Sequence, residues 1–173
     1  MLKSSKNKLI LALLVVSMGI LSFANKSGEK GKNFSLQNSK VNKIKSDFLS
    51  REEFLTKKLL IINFWASWCV PCLTEIPSLN RLYELKKEQG LYIVGINSDY
   101  ENQKKLIQKT KKKYNITFPL IADKRGELLD AFSVSGLPTT FLVKDGKIIK
   151  TLKGEFNFNS TKFINKLNNI LKK

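Results

Sequence analysis

Two cysteines, Cys69 and Cys72, are the only ones in the chain, and they stand two residues apart in Trp68-Cys69-Val70-Pro71-Cys72. Histidine is absent altogether. Its absence removes Ser–His and Cys–His nucleophile pairs, imidazole metal sites and histidine acid–base catalysis together. Two cysteines alone do not complete a four-ligand structural zinc site. The chemistry left to them is exchange with each other and with a third sulfur. In such Cys-X-X-Cys motifs the thiol pKa falls from about 8.5 into a range of roughly 3.5–7.5. A thiol at the start of a helix feels the unpaired N–H groups and the positive end of the dipole, which favour the thiolate. Cys69 is expected to be exposed and nucleophilic, and Cys72, one turn deeper, to be the shielded resolving thiol. Pro71 falls in the first turn, where its missing N–H costs little. A purely structural bridge is the alternative, but one closing so small a loop would add little stability.

The elements that position these residues are legible from periodicity. Residues 58–65 (KLLIINFW) form a near-continuous apolar run of strand length, suited to a strand covered on both faces. The cysteines follow directly, at the carboxyl end of the sheet, where open α/β sheets carry their sites. Ile76, Leu79, Leu82, Tyr83 and Leu85 then recur at helical spacing toward Gln89, with Pro77 expected to kink the helix and Gly90 to stop it. Residues 91–97 read as a second buried strand. Residues 102–114 read as a polar helix with Leu106, Ile107 and Tyr114 inward, 117–122 as a short extended piece and 127–132 as a short helix. Residues 139–143 and 148–152 flank Asp145-Gly146, a strong hairpin signal. Phe163, Ile164, Leu167, Ile170 and Leu171 make a closing amphipathic helix capped near Asn159 or Ser160. This order predicts an α/β fold with a central mixed, mostly parallel sheet, an antiparallel hairpin and flanking helices. Residues 34–55 are less readable and could add an edge strand and a short helix.

The amino terminus reads as an address. Lys3, Lys6 and Lys8 precede an uncharged apolar run over residues 9–24, shorter than the roughly 20 residues that a spanning helix prefers. Ser22-Phe23-Ala24 offers small residues for cleavage before Asn25, and no cysteine stands there to accept lipid. Residues 1–24 are therefore expected to be a signal peptide or signal anchor, 25–33 a polar linker and 34–173 the working domain, outside the cytoplasm. The balance of 31 Lys+Arg against 14 Asp+Glu is strongly basic. The lysines are spread along the whole chain and only three of the basic residues are Arg, so the charge reads as a solvated surface rather than a nucleic-acid site.

Residues 63–72 (NFWASWCVPC), with Glu75 and Pro77 following, resemble the TlpA/ResA-like branch of the thioredoxin superfamily. Gly136-Leu137-Pro138-Thr139-Thr140-Phe141, followed by Asp145-Gly146, resembles the same branch at its cis-proline loop and hairpin. The resemblance runs from about residue 34 to the end. It implies a thioredoxin-like fold, a cis peptide at Leu137–Pro138 beside the cysteines, and Trp68 in the apolar surface around Cys69. Trp68, Pro71, Leu137 and Pro138 would then meet the substrate, with Leu137 offering backbone groups to an extended strand. Thioredoxins carry a buried aspartate where this chain has Asn63, which exchanges no proton. Glu75, three residues past Cys72 and on roughly the same helical face, would manage the proton of Cys72 instead.

The activity so implied is that of an extracytoplasmic thiol–disulfide oxidoreductase, most simply a reductase of disulfides in exported clients. Its cofactor is no more than the Cys69–Cys72 pair itself. Electrons would come from a CcdA/DsbD-like membrane donor, and apocytochrome c or a methionine sulfoxide reductase are candidate clients of a monomeric enzyme. The segment Val-Pro lacks the histidine that strongly oxidising relatives carry between their cysteines. A disulfide-forming oxidant and a redox-inert binding or chaperone module on the same fold remain the alternatives.

Overall fold

The structure, a computed structural model, describes residues 58–172. The expected leader, the linker and the elements anticipated over residues 34–55 lie outside the described residues. Strand β1 (Leu59–Trp65) is buried along its whole length, as its unbroken apolar run requires. Its side chains alternate between two apolar clusters: Leu59, Ile61 and Trp65 on one face, Leu60, Ile62 and Phe64 on the other. That parity puts Asn63 on the same face as Ile61 and Trp65.

Strand β2 (Leu91–Asn97) pairs parallel with β1, and the short β3 (Leu120–Ala122) pairs parallel with β2. On the other side β4 (Thr139–Lys144) runs antiparallel to β1, and β5 (Lys147–Lys153) antiparallel to β4. The sheet order is β3-β2-β1-β4-β5, with β4 alone running against the rest among the described residues. The expected mixed, mostly parallel sheet is what forms. Asp145 and Gly146 both take positive φ (49° and 69°), the backbone that a two-residue hairpin turn demands. Lys147, Lys150 and Lys153 line the exposed edge strand, where charge discourages pairing with another chain.

Helix α1 (Val70–Lys86) covers one face, burying Cys72, Glu75, Ile76, Leu79 and Leu82. It continues through Pro77 and ends in a short 3-10 turn at Gly90, whose φ of 96° is open to glycine at little cost. Leu85, expected inside, is 54% exposed. At about 100° per residue it sits roughly half a turn away from Ile76, and the inward stripe is set by Ile76, Leu79 and Leu82. Helix α4 (Thr161–Leu171) packs Phe163, Leu167 and Leu171 on this same face. Its cap is Ser160, which makes no side-chain capping bond. Phe156, Phe158 and Phe163 meet edge-on at centroid distances of 5.0–5.6 Å, pinning the segment between β5 and α4 against α1. The opposite face is covered by Leu128 of α3 (Glu127–Ala131) and by Phe132, against Phe64 and Phe141.

Helix α2 (Gln103–Tyr114) packs Ile107 and Tyr114 against the core as its sequence reading expects, but not Leu106. Its buried positions are Gln103 and Thr110, while Leu106 is only half-buried. Strand β3 is also shorter than expected. Pro119 has no N–H for the ladder; its carbonyl instead accepts from the Gly95 N–H at 2.9 Å, and Phe118 turns into the core.

Candidate active site

The cysteines sit at the end of β1 where α1 begins. Cys69 is the N-cap residue of α1, with extended backbone (φ −83°, ψ 97°), and its carbonyl accepts the Leu73 N–H at 3.1 Å. Val70 and Pro71 make the first turn, which contains no acidic residue to oppose a thiolate. Cys69 and Cys72 are joined as a disulfide with Cα atoms 5.3 Å apart. Cys72 is 1% exposed, as a shielded resolving thiol should be.

Cys69 departs from expectation: it is only 5% exposed and belongs to the apolar cluster on the α1 face. Bonded to Cys72, it turns toward that cluster, and its neighbours take the solvent. Trp68 is 61% exposed and Val70 71%, and Pro71 is exposed beside them. A large aromatic ring and a valine held in water next to a disulfide are unusual for packing residues, since burying either would stabilise the fold by roughly 1.5–3 kcal/mol.

The Leu137–Pro138 peptide is cis. Thr139, the next residue, pairs with Phe64 near the end of β1, so the cis-proline loop lies at the same end of the sheet as the cysteine loop. Pro138 is buried, and its carbonyl accepts the Gly154 N–H at 2.9 Å. Leu137 is half-buried and packs against both apolar clusters.

Beneath Cys72, on the same face of α1, lies Glu75 at 2% exposure. The Asn63 side-chain amide donates to Glu75 Oε1 at 2.7 Å and to Thr140 Oγ1 at 2.9 Å, and the Phe156 N–H donates to Glu75 Oε2 at 3.1 Å. Asn63 and Thr140 are direct cross-strand partners on the α1 face of the sheet. Burial pushes the Glu75 carboxyl up to about 7, and the two hydrogen bonds pull it back only in part. The carboxyl therefore changes protonation near neutrality.

A second buried carboxyl was not singled out by the sequence. Asp99, 3% exposed, follows β2 and reaches across to the cysteine loop. It accepts the Ser67 N–H at 3.1 Å, the Ser67 hydroxyl at 3.0 Å and the Asn97 amide at 2.7 Å. Gln103 closes the loop from below. Its amide donates to the carbonyls of Asn97 at 3.4 Å and Asp123 at 3.1 Å, and to that of Asp99. The signal that could have found this cluster is the polar run Asn97-Ser98-Asp99 ending an apolar strand at the carboxyl edge of the sheet.

A redox disulfide at a helix start, a cis-proline loop at the same end of the sheet and a buried carboxyl beneath the pair define a thioredoxin-like thiol–disulfide oxidoreductase. Known proteins agree. Residues 27–151 match the AhpC/TSA family. The chain is 35% identical over 149 residues to the thiol-disulfide oxidoreductase ResA of Geobacillus thermodenitrificans, covering 84% of each chain. It is 34% identical to ResA of Bacillus subtilis, over 84% of this chain and 82% of that one. Among solved structures, StoA from Bacillus subtilis superposes with a TM-score of 0.54 at 28% identity, covering 65% of this chain and 81% of that one. A thiol:disulfide interchange protein from Chlorobium tepidum gives 0.56 at 26% identity, with 69% and 81% covered. The chain belongs to the AhpC/TSA family and, within it, to the ResA-like thiol–disulfide oxidoreductases.

Proposed function

We propose that this oxidoreductase works outside the cytoplasm as a reductase of disulfides in exported client proteins. The observation that carries the reading is a CxxC pair at the N-terminus of α1 with a carboxyl titrating near 7 buried on the same helical face. In the reduced enzyme, the Cys69 thiolate attacks one sulfur of a client disulfide. A Cys69–client disulfide forms and the other client sulfur leaves as a thiolate. Glu75, ionised, takes the proton of Cys72. The Cys72 thiolate then attacks Cys69 Sγ, forming the Cys69–Cys72 bond and releasing the second client thiolate. Two electrons pass to the client, two protons from solvent neutralise its thiols, and the proton of Cys72 stays on Glu75. A membrane dithiol donor of the CcdA/DsbD type returns both electrons, and protonated Glu75 then resupplies the proton as Cys72 departs. Trp68, Val70, Pro71 and the cis-proline loop would form the face that receives the client strand.

Export is supported by the basic leader and the uncharged run over residues 9–24. Among the described residues, no helix is long and apolar enough to cross a membrane. The deciding measurement is the reduction potential of the Cys69–Cys72 couple. A value near −270 mV is expected of a reductant; one near −120 mV would make the protein an oxidant instead. Insulin-disulfide reduction should be lost in Cys69→Ser, and equal rates with wild type would mark a redox-inert module. The proton role of Glu75 predicts that Glu75→Gln alters the pH profile of Cys72 thiolate formation; an unchanged profile removes Glu75 from the cycle.

A further inference from the structure

Five large apolar or aromatic side chains stand exposed among the described residues, and three of them, Trp68, Val70 and Tyr100, belong to loops or first turns at the carboxyl end of the sheet. Tyr100 is 90% exposed, more than any of the others. It is not on a loose loop. Its neighbour Asp99 is buried and bonded to Ser67, so Tyr100 and Trp68 each follow one partner of the same hydrogen bond. The clamp ties the segments that carry the two residues into one rim at the carboxyl end of the sheet.

Beyond Tyr100 the rim opens into a groove of about 530 Å³ along the start of α2. Lys104 and Lys105 line it from α2 and Lys124 from the loop after β3, with no acidic residue in the lining. Glu101, beside Tyr100, is exposed but does not line it. In the groove lining, Gln103 is 7% exposed and its side-chain oxygen has no hydrogen-bond partner among the described residues. The rest of the chain is basic too, but here three lysines line one concavity that begins at Tyr100, next to the residue bonded to Ser67.

We propose that this groove is a specificity site for client polypeptides carrying acidic residues beside the disulfide to be reduced, with Tyr100 stacking on the client chain between the acids and the cysteine. The proposal rests on the reductase reading and adds the class of client. Its physical basis is charge complementarity: a positive concavity raises the local concentration of acidic segments and their association rate, steeply with falling salt.

The test uses the full, reduced chain and two peptide disulfides of equal length, one flanked by three glutamates and one by three lysines. Neutral bis(2-hydroxyethyl) disulfide reports the dithiol itself. Wild type should reduce the acidic peptide about tenfold faster, through KM, and the preference should collapse near 1 M salt, where the screening length is about 3 Å. The Lys104→Glu/Lys105→Glu/Lys124→Glu variant should lose or invert the preference while reacting as wild type does with the neutral disulfide. The milder triple Gln variant should reduce it partway, and Tyr100→Ser should raise KM for both peptides. Equal wild-type rates on the two peptides, or a salt-independent preference, overturn the groove and leave the reductase standing. Failure to reduce either peptide, with normal reactivity toward the neutral disulfide, overturns the reductase reading together with the groove.

Discussion

Glu75 and Asp99 are both buried carboxyls within one element of the cysteines, yet they are built for different tasks. Glu75 lies under the pair on the helix that bears Cys72, and its two donors reach it from β1 and from the segment after β5, both distant in sequence. The rest of its surroundings is mainly the apolar α1 face, with the like charge of Glu155 adding to the cost, so a proton is held until about pH 7. Asp99 lies beside the pair on a loop, and two of its three donors come from Ser67, two residues before Cys69. One carboxyl is pushed up to about 7 by its burial, the other ties the cysteine loop to the end of β2. Burial alone does not set what a carboxyl does; the origin and number of its donors count as well.

The contrast can be broken most strongly at Glu75. A carboxyl whose pKa is raised on folding binds its proton more tightly in the native state. Stability should therefore be greatest below about pH 4.5, fall as pH rises through the window to about 7, and level off above it. The full swing is on the order of 3 kcal/mol, at 1.36 kcal/mol per pKa unit. Denaturant melts of the oxidised protein across that window should show the slope, and Glu75→Gln, which cannot ionise, should flatten it. A parallel slope in the variant would mean that another group titrates.

Asp99→Asn sharpens the other side of the comparison. An amide oxygen can replace one carboxylate oxygen, but its NH2 group then faces donors. At least one of Ser67 N–H, Ser67 hydroxyl and Asn97 amide loses its acceptor, at a cost of about 1–3 kcal/mol. We expect a lowered unfolding midpoint and slower reduction of insulin. The pH slope set by Glu75 should persist, because the two carboxyls share no donor.

The smallest effect is expected at Thr140→Val, which removes the second acceptor of the Asn63 amide without touching Glu75. Loss of one buried hydrogen bond should cost about 1 kcal/mol. Asn63 would then be held less firmly against Glu75, and the midpoint of the Glu75 titration, followed by carboxyl NMR, should rise.

Most of the scaffold was legible from the chain. The two cysteines, the apolar run before them and the helical recurrence after them fixed where chemistry could occur, because period and spacing are local properties. The Asn63–Glu75 contact could be approached the same way: strand parity sends Asn63 to the α1 face, and three-residue spacing puts Glu75 beside Cys72. What was not legible depends on long-range geometry. Asp99 meets Ser67 across 32 residues, and no local pattern names that partner. The low exposure of Cys69 likewise follows from how its neighbours turn outward, which spacing does not encode. Leu85 faces outward because a run of leucines near helical spacing hides a half-turn offset from Ile76.

The Phe156 N–H ends on Glu75 Oε2 at 3.1 Å, 81 residues along the chain from the carboxyl it touches. This makes the amide of Phe156 a reporter wired to the buried carboxyl under the disulfide. Its proton and nitrogen resonances should drift as Glu75 gains or loses charge. Changes of state at the site can thus be read from a backbone position on the far segment, with no label placed on either sulfur.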